Sequence, residues 1–157
     1  MPRVEATRTV PVPLDVAFAV SQTHGAIRLE WDPFVHDQHL IDADQPAKGV
    51  RTRTVSRHRL AMTSEYVSFR PPNQVGMKMV EGPWFFSTFA GGWTFAAGST
   101  DEETIATWRY TFSVRPSWLA PIADRIGTWL LGRDIEARIG SSAAACENPR
   151  VLAAIGR

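Results

Sequence analysis

Apolar and polar side chains alternate without a slip over Thr107–Val114, TWRYTFSV. Trp108, Tyr110, Phe112 and Val114 fall on one side of an extended chain, and Thr107, Arg109, Thr111 and Ser113 on the other. The period of two recurs along most of the chain. Val4–Val12 sets Val4, Ala6, Arg8 and Val10 against Glu5, Thr7 and Thr9, and Pro11 and Pro13 end it. Further strands are expected at Phe34–Asp42, Val50–Leu60, Met62–Phe69, Gln74–Val80, Trp84–Ala97 and Thr104–Val114. Turn chemistry separates them at Asp44–Gly49, Pro71-Pro72-Asn73, Gly82-Pro83 and Gly98–Glu102. Gly91-Gly92 inside the sixth reads as a bulge or bend. Between the first and second strands, Leu14–Val20 carries apolar residues at helical spacing. A second helical turn runs through Ala26–Glu30 and stops before Pro33. Seven strands joined mostly by short turns predict an antiparallel meander.

The C-terminal segment changes period. Leu119, Ile122, Ile126, Leu130, Ala137 and Ala144 share one stripe at 3.6 residues per turn, which predicts a long helix from Ser117 to Glu147. Pro116 precedes it and Asn148-Pro149 closes it, leaving residues 150–157 as a tail after a single domain over residues 1–149. Leu131, Ile135 and Ile139 form a second apolar patch, placed against the short helices or a partner subunit. Gly127, Gly132 and Gly140 each cost the helix about 1 kcal/mol relative to Ala, so a close approach or a bend is expected there. A curved antiparallel sheet and a long amphipathic helix must cover each other, which makes the fold α+β.

Composition narrows the function classes. A chain of 157 residues is one domain able to fold without disulfides or metals, since it buries about 70% of its unfolded surface. The formal charge of +1 offers no bulk attraction to nucleic acid or an anionic membrane, and basic and aromatic residues are not interleaved on one face. Cys146 is the only cysteine, which excludes an internal disulfide and disfavours a zinc or redox site. His36 and His39 fall on opposite faces of a strand, against metal ligation beside Asp37. No phosphate-cradling loop or GxSxG elbow occurs. No cofactor, metal, nucleic-acid partner or membrane span is therefore expected, and the default location is the cytoplasm. Oligomeric state is open between monomer and homodimer.

Three stretches carry a family resemblance: EWDPF at Glu30–Phe34, GPWFFSTFAGGWTF at Gly82–Phe95, and the Arg- and Ala-rich final helix. With the order strand, two short helices, six strands and a long helix, the chain resembles the START-like (SRPBCC) superfamily, and most of all its bacterial polyketide cyclase/dehydrase branch. The resemblance implies a helix-grip fold, in which a seven-stranded curved sheet wraps a long C-terminal helix and leaves an internal cavity for an apolar or aromatic molecule. Some members cyclise or dehydrate the bound chain.

On that frame Trp93, Phe95, Trp108, Tyr110 and Phe112 point inward, either as solid core or as the wall of a pocket. Buried Trp and Tyr need partners for their N–H and O–H groups, and the small residues Ala137, Gly140 and Ala144 opposite them leave room. Arg133 falls inside the Leu119-to-Ala137 stripe, so it snorkels to the rim, pairs with a carboxylate or anchors a ligand oxygen. Along Val50–Leu60 the arginines take one face and Thr52, Thr54, Ser56 and His58 the other, which predicts an unusually polar inner face. Trp31 is placed at the cavity mouth by the resemblance, with Asp32 as a helix cap or ring-orienting group. The expected ligand set is thus Arg133, His58, Trp108, Tyr110, Phe112, Trp93, Phe95, Trp31, Thr54 and Ser56. The expected function is binding of a small hydrophobic or aromatic, oxygen-bearing, polyketide- or lipid-like ligand. The alternative is a polyketide aromatase/cyclase or dehydratase acting on a bound poly-keto chain.

Overall fold

The computed structural model describes residues 1–157. Seven strands form one antiparallel sheet: β1 (Arg3–Val10), β2 (Val35–Ile41), β3 (Arg51–Ser56), β4 (Ala61–Arg70), β5 (Gln74–Glu81), β6 (Phe86–Ala97) and β7 (Thr104–Val114). Their order is β1-β7-β6-β5-β4-β3-β2, so β2 to β7 run as a meander and β1 adds to its last strand. The short helices α1 (Leu14–Ser21) and α2 (Ala26–Trp31) join β1 to β2. A 3₁₀ turn at Ser117–Leu119 leads into the long helix α3 (Ala120–Ala145), and a short α4 (Pro149–Ala154) follows. The α+β architecture expected from the periodicity is the one observed.

The alternation sets the inner face of the sheet. One cross-strand row runs Tyr66, Met77, Gly91, Tyr110, Val4, and the next runs Val75, Trp93, Trp108, Ala6. Tyr66 is buried in the core and Glu65 pairs outside with Arg51 at 3.2 Å, which settles the orientation of β4. Register shifts at Val35/Asp37, Thr63/Ser64, Tyr66/Ser68 and Phe86/Thr88 add local twist of the kind that curls a sheet. Gly91-Gly92 is not a bulge: Gly91 pairs regularly with Met77 and Tyr110, and Gly92 with Gly76 and Arg109. Its cause is close approach. A Cβ on Gly92 would lie 2.6 Å from the Val75 carbonyl oxygen, and one on Gly91 3.1 Å from the Tyr110 ring.

Helix α3 packs on β1 and β7 and touches α1 and α2, but it does so with the stripe opposite to the expected one. Ile135, Arg138, Ile139, Ser142 and Ala145 are buried, whereas Ile122, Ile126 and Leu130 are exposed. Both stripes are apolar, and contact with the sheet selects one of them. Gly127 lets α3 come down on β7, because its missing Cβ would stand 2.8 Å from the Phe112 ring. The segment after Asn148 is more than a tail. The Asn148 side chain accepts a hydrogen bond from the Arg150 N–H, capping α4, and fully buried Val151 joins Val16, Val20, Trp31 and Ala145 in a second small core.

Candidate functional site

The inner face of the sheet divides into a packed end and a looser end. At the packed end Trp93 stacks on Trp108 at 4.2 Å and on Phe95 at 5.4 Å, and Phe18 of α1 closes edge-on over Phe95. These rings are buried and form the main core with Val75, Ala106 and Ile139. At the looser end Thr54, Met62, Ser64, Met77, Met79, Phe86 and Phe89 are only half-buried. Three of the four methionines of the chain stand here, and Met side chains adapt to irregular surfaces. The helices contribute little cover at this end, since α3 meets the sheet on β1 and β7.

Between the two ends lies a buried ionic cluster. Asp32, at the end of α2, has its side chain fully enclosed. Its Oδ2 accepts from Arg28 Nε at 2.9 Å and from Arg138 Nη2 at 2.8 Å. Its Oδ1 accepts from Arg138 Nε at 3.0 Å and from the Phe34 N–H at 3.1 Å. Burial by itself would raise the carboxyl pKa, but Arg138 and Arg28 outweigh it and hold it at about 2. Burial acts on both guanidinium groups too. In Arg138 Asp32 overcomes it and the pKa rises, whereas in Arg28 burial prevails and the pKa falls. Arginine stays cationic in either case, so the cluster carries two positive charges and one negative. Aromatic rings help to accommodate the excess, with the Arg138 guanidinium carbon 4.2 Å from the Trp108 centroid and 4.5 Å from that of Phe34.

Arg138 Nη1 also donates to the Tyr110 hydroxyl, which joins the cluster to the sheet. Tyr110 is buried beside Phe89, with 5.2 Å between ring centroids, and its ring lies against Gly91, the cross-strand partner that makes room for it. Burial raises its phenol pKa, so the O–H keeps its proton at neutral pH. With Arg138 as donor, the Tyr110 oxygen is an acceptor, and its own hydrogen has no protein acceptor. Tyr66 differs, because its hydroxyl donates to Gln22 Oε1 at 3.2 Å.

The expected site residues separate on this geometry. Trp93, Phe95, Trp108, Tyr110 and Phe112 come together on the inner face, and Thr54 reaches its half-buried end. Ser56 is buried, but its Oγ accepts from the His58 and Leu60 N–H groups and so braces a turn. That turn removes His58 from the site. The strand ends at Ser56, Arg59 takes a φ of 66°, and His58 is exposed beside Arg57. Arg133 is exposed as well, over the Trp129 ring at 4.9 Å. The buried arginine of α3 is Arg138, on the Leu131/Ile135/Ile139 face. Trp31 is buried and donates Nε1–H to Thr23 Oγ1 at 2.8 Å, a structural post under the cluster. Cys146 is buried, and its thiol is pushed up to about 11 by burial and by Glu147, which leaves it unreactive.

Two shallow, open concavities lie elsewhere. One of about 260 Å³ is on the outer face of the sheet, over Gly76, Gly91 and Gly92 and rimmed by Arg109 and Thr111. The other, about 460 Å³, is an open groove between Pro2 and the Asp124, Arg125, Thr128 and Trp129 positions of α3.

The family pattern described as polyketide cyclase/dehydrase and lipid transport matches residues 1–147. The chain belongs to that family. No curated protein matches it significantly in sequence. Among solved structures, the family member is similar to the Zhui aromatase/cyclase from Streptomyces sp. R1128, with a TM-score of 0.77 and 20% identity over 97% of this chain and 96% of that one. A START superfamily protein from Mycobacterium smegmatis gives 0.76 at 12% identity, covering 94% and 98% of the two chains. A protein from Thermus thermophilus gives 0.76 at 19% identity, covering 98% and 99%. At such identities the likeness establishes the fold, and that fold is the helix grip.

Proposed function

We propose that this family member binds a small, largely apolar, oxygen-bearing molecule at the looser end of the inner face, with the Tyr110 hydroxyl as its polar anchor. The observation that carries this reading is the buried Tyr110 O–H, held as an acceptor by Arg138 and left with a hydrogen to give. A ligand carbonyl or hydroxyl oxygen beside the Tyr110 hydroxyl would accept it, while Met77, Met79 and Phe89 supply adaptable apolar walls.

Binding is tested by calorimetry with paired probes, such as a naphthol and naphthalene. Tyr110→Phe should weaken the oxygenated probe by about fivefold to tenfold, the value of one neutral hydrogen bond, and leave its hydrocarbon partner unchanged. Equal loss for both probes, or no binding of either by the unaltered protein, overturns the assignment. An aromatase/cyclase reading is favoured by the same pair of residues, because a phenol backed by a guanidinium polarises a carbonyl. It requires that a poly-keto substrate yield cyclised product with the unaltered protein and not with Tyr110→Phe.

A further inference from the structure

The N-terminal half of α3 turns an apolar stripe to solvent. Ile122 is 65% exposed, Ile126 54% and Trp129 60%, with Leu130 beside them. Trp118 on the preceding turn is 77% exposed and Trp84 on the β5–β6 loop 72%. These two belong to one end of the molecule, since β6 starts where β7 ends and Arg115 binds the Phe85 and Phe86 backbone. Trp118 and Trp129 are eleven residues apart, roughly 16 Å along a helix axis. A contiguous face of this kind exceeds the scattered apolar exposure of an ordinary surface.

The charge on this face is mostly positive, with Glu136, seven residues after Trp129, exposed at its C-terminal end. Helical spacing places Arg125 and Arg133 on the same stripe as Ile122, Ile126 and Trp129, with Arg115 at its end, and no carboxylate falls on it between Trp118 and Arg133. Asp124 is half-buried in the groove beside Pro2 that Arg125 and Trp129 also line, and Asp134 is tied to Arg57 at 2.9 Å. Arg133 folds back over the Trp129 ring. No helix of the protein is long and apolar enough to cross a membrane.

We infer that this face docks the protein on an anionic lipid bilayer, with α3 lying in the interfacial plane. Ile122, Ile126 and Leu130 enter the acyl boundary, the tryptophans sit at headgroup depth, and Arg115, Arg125 and Arg133 meet anionic headgroups. A second copy fits less well. A two-fold contact through this stripe brings Arg125 and Arg133 of both copies into an apolar interface with only Glu136, at its C-terminal end, to answer them. Anionic headgroups supply the missing charge. The inference stands apart from the ligand assignment and uses none of its residues.

The test is co-sedimentation of the full chain with vesicles of phosphatidylcholine alone and of phosphatidylcholine mixed with phosphatidylglycerol, with size-exclusion chromatography over a range of protein concentrations. Binding to the anionic vesicles should exceed that to the zwitterionic ones by at least tenfold and fall with salt. Arg125→Gln and Arg133→Gln should each weaken it by about fivefold. Ile122→Ser with Trp129→Ser should abolish it, and a thermal melt checks that the variant is folded. Failure to bind anionic vesicles overturns the inference, as does binding that the variants leave intact. A dimer that Ile122→Ser with Trp129→Ser dissolves, without vesicle binding, assigns the face to a second copy instead. Binding to an acidic protein without binding to vesicles also overturns it.

Discussion

The two halves of α3 are both apolar on one side, yet they live in different solvents. From Leu131 onward the large apolar residues face the sheet, and Ile135 and Ile139 are almost completely buried, while Ala137 and Ala144 on the other side stay exposed. Before Leu131 the stripe rotates to the opposite side, and Ile122, Ile126, Trp129 and Leu130 stand in water. The tryptophans divide in the same way, with Trp31, Trp93 and Trp108 inside and Trp84, Trp118 and Trp129 outside. Arginines follow suit: Arg138 is locked between Asp32 and Tyr110, whereas Arg133 lies over an exposed ring. A helix thus carries one half of the core and one half of a free surface on a single rod, and hydrophobicity alone does not tell them apart.

The largest expected effect sits in the buried half. Asp32→Asn leaves Arg28 and Arg138 enclosed together without a countercharge and should cost about 3–5 kcal/mol in urea denaturation. Arg133→Ala should stay within about 0.5 kcal/mol. Comparable losses from both would erase the contrast between the halves.

Ile135→Ala should cost about 2–5 kcal/mol through cavity formation, while Ile126→Ala should cost no more than about 0.5 kcal/mol. If Ile126→Ala proves the worse, the exposed stripe is covered by something in solution.

Acid gives the next contrast. The Asp32 carboxyl is held at about 2 in the folded protein against an ordinary value of 3.8. A lowered folded pKa means stability that is fully present above the unfolded value and lost as pH falls from about 4 toward about 2, amounting to about 2 kcal/mol. Asp32→Asn should remove that part of the pH dependence, and urea melts across this range would show it.

The smallest effect separates two helical glycines. Gly132 has open space where a Cβ would stand, so Gly132→Ala should stabilise by up to about 1 kcal/mol through helix propensity. Gly127→Ala gains the same propensity but drives its Cβ into the Phe112 ring at 2.8 Å, so its melting temperature should fall.

The strands were legible because their signal is local. TWRYTFSV alternates through β7 as its residues do in space, and the inward set Trp93, Phe95, Trp108, Tyr110 and Phe112 follows from that period. His58 misled because alternation continues past Ser56 in the letters while the backbone turns back through Arg59. Arg138 was missed although its signal is present: it lies three residues after Ile135, seven after Leu131 and one before Ile139, on the patch taken as secondary. The half-buried Met62, Met77 and Met79 carry no local mark of a site.

What the amino-acid order determined by itself is the sheet and its inner face, because in an extended chain each side chain's direction is set by its parity. What only the tertiary structure decided is the inside of α3. A helix presents its apolar residues all round, and the buried face is the one that meets a partner. That partner is far away in the chain. Arg138 is buried because Asp32, 106 residues earlier, arrives from α2 to neutralise it, and no local pattern carries such a meeting.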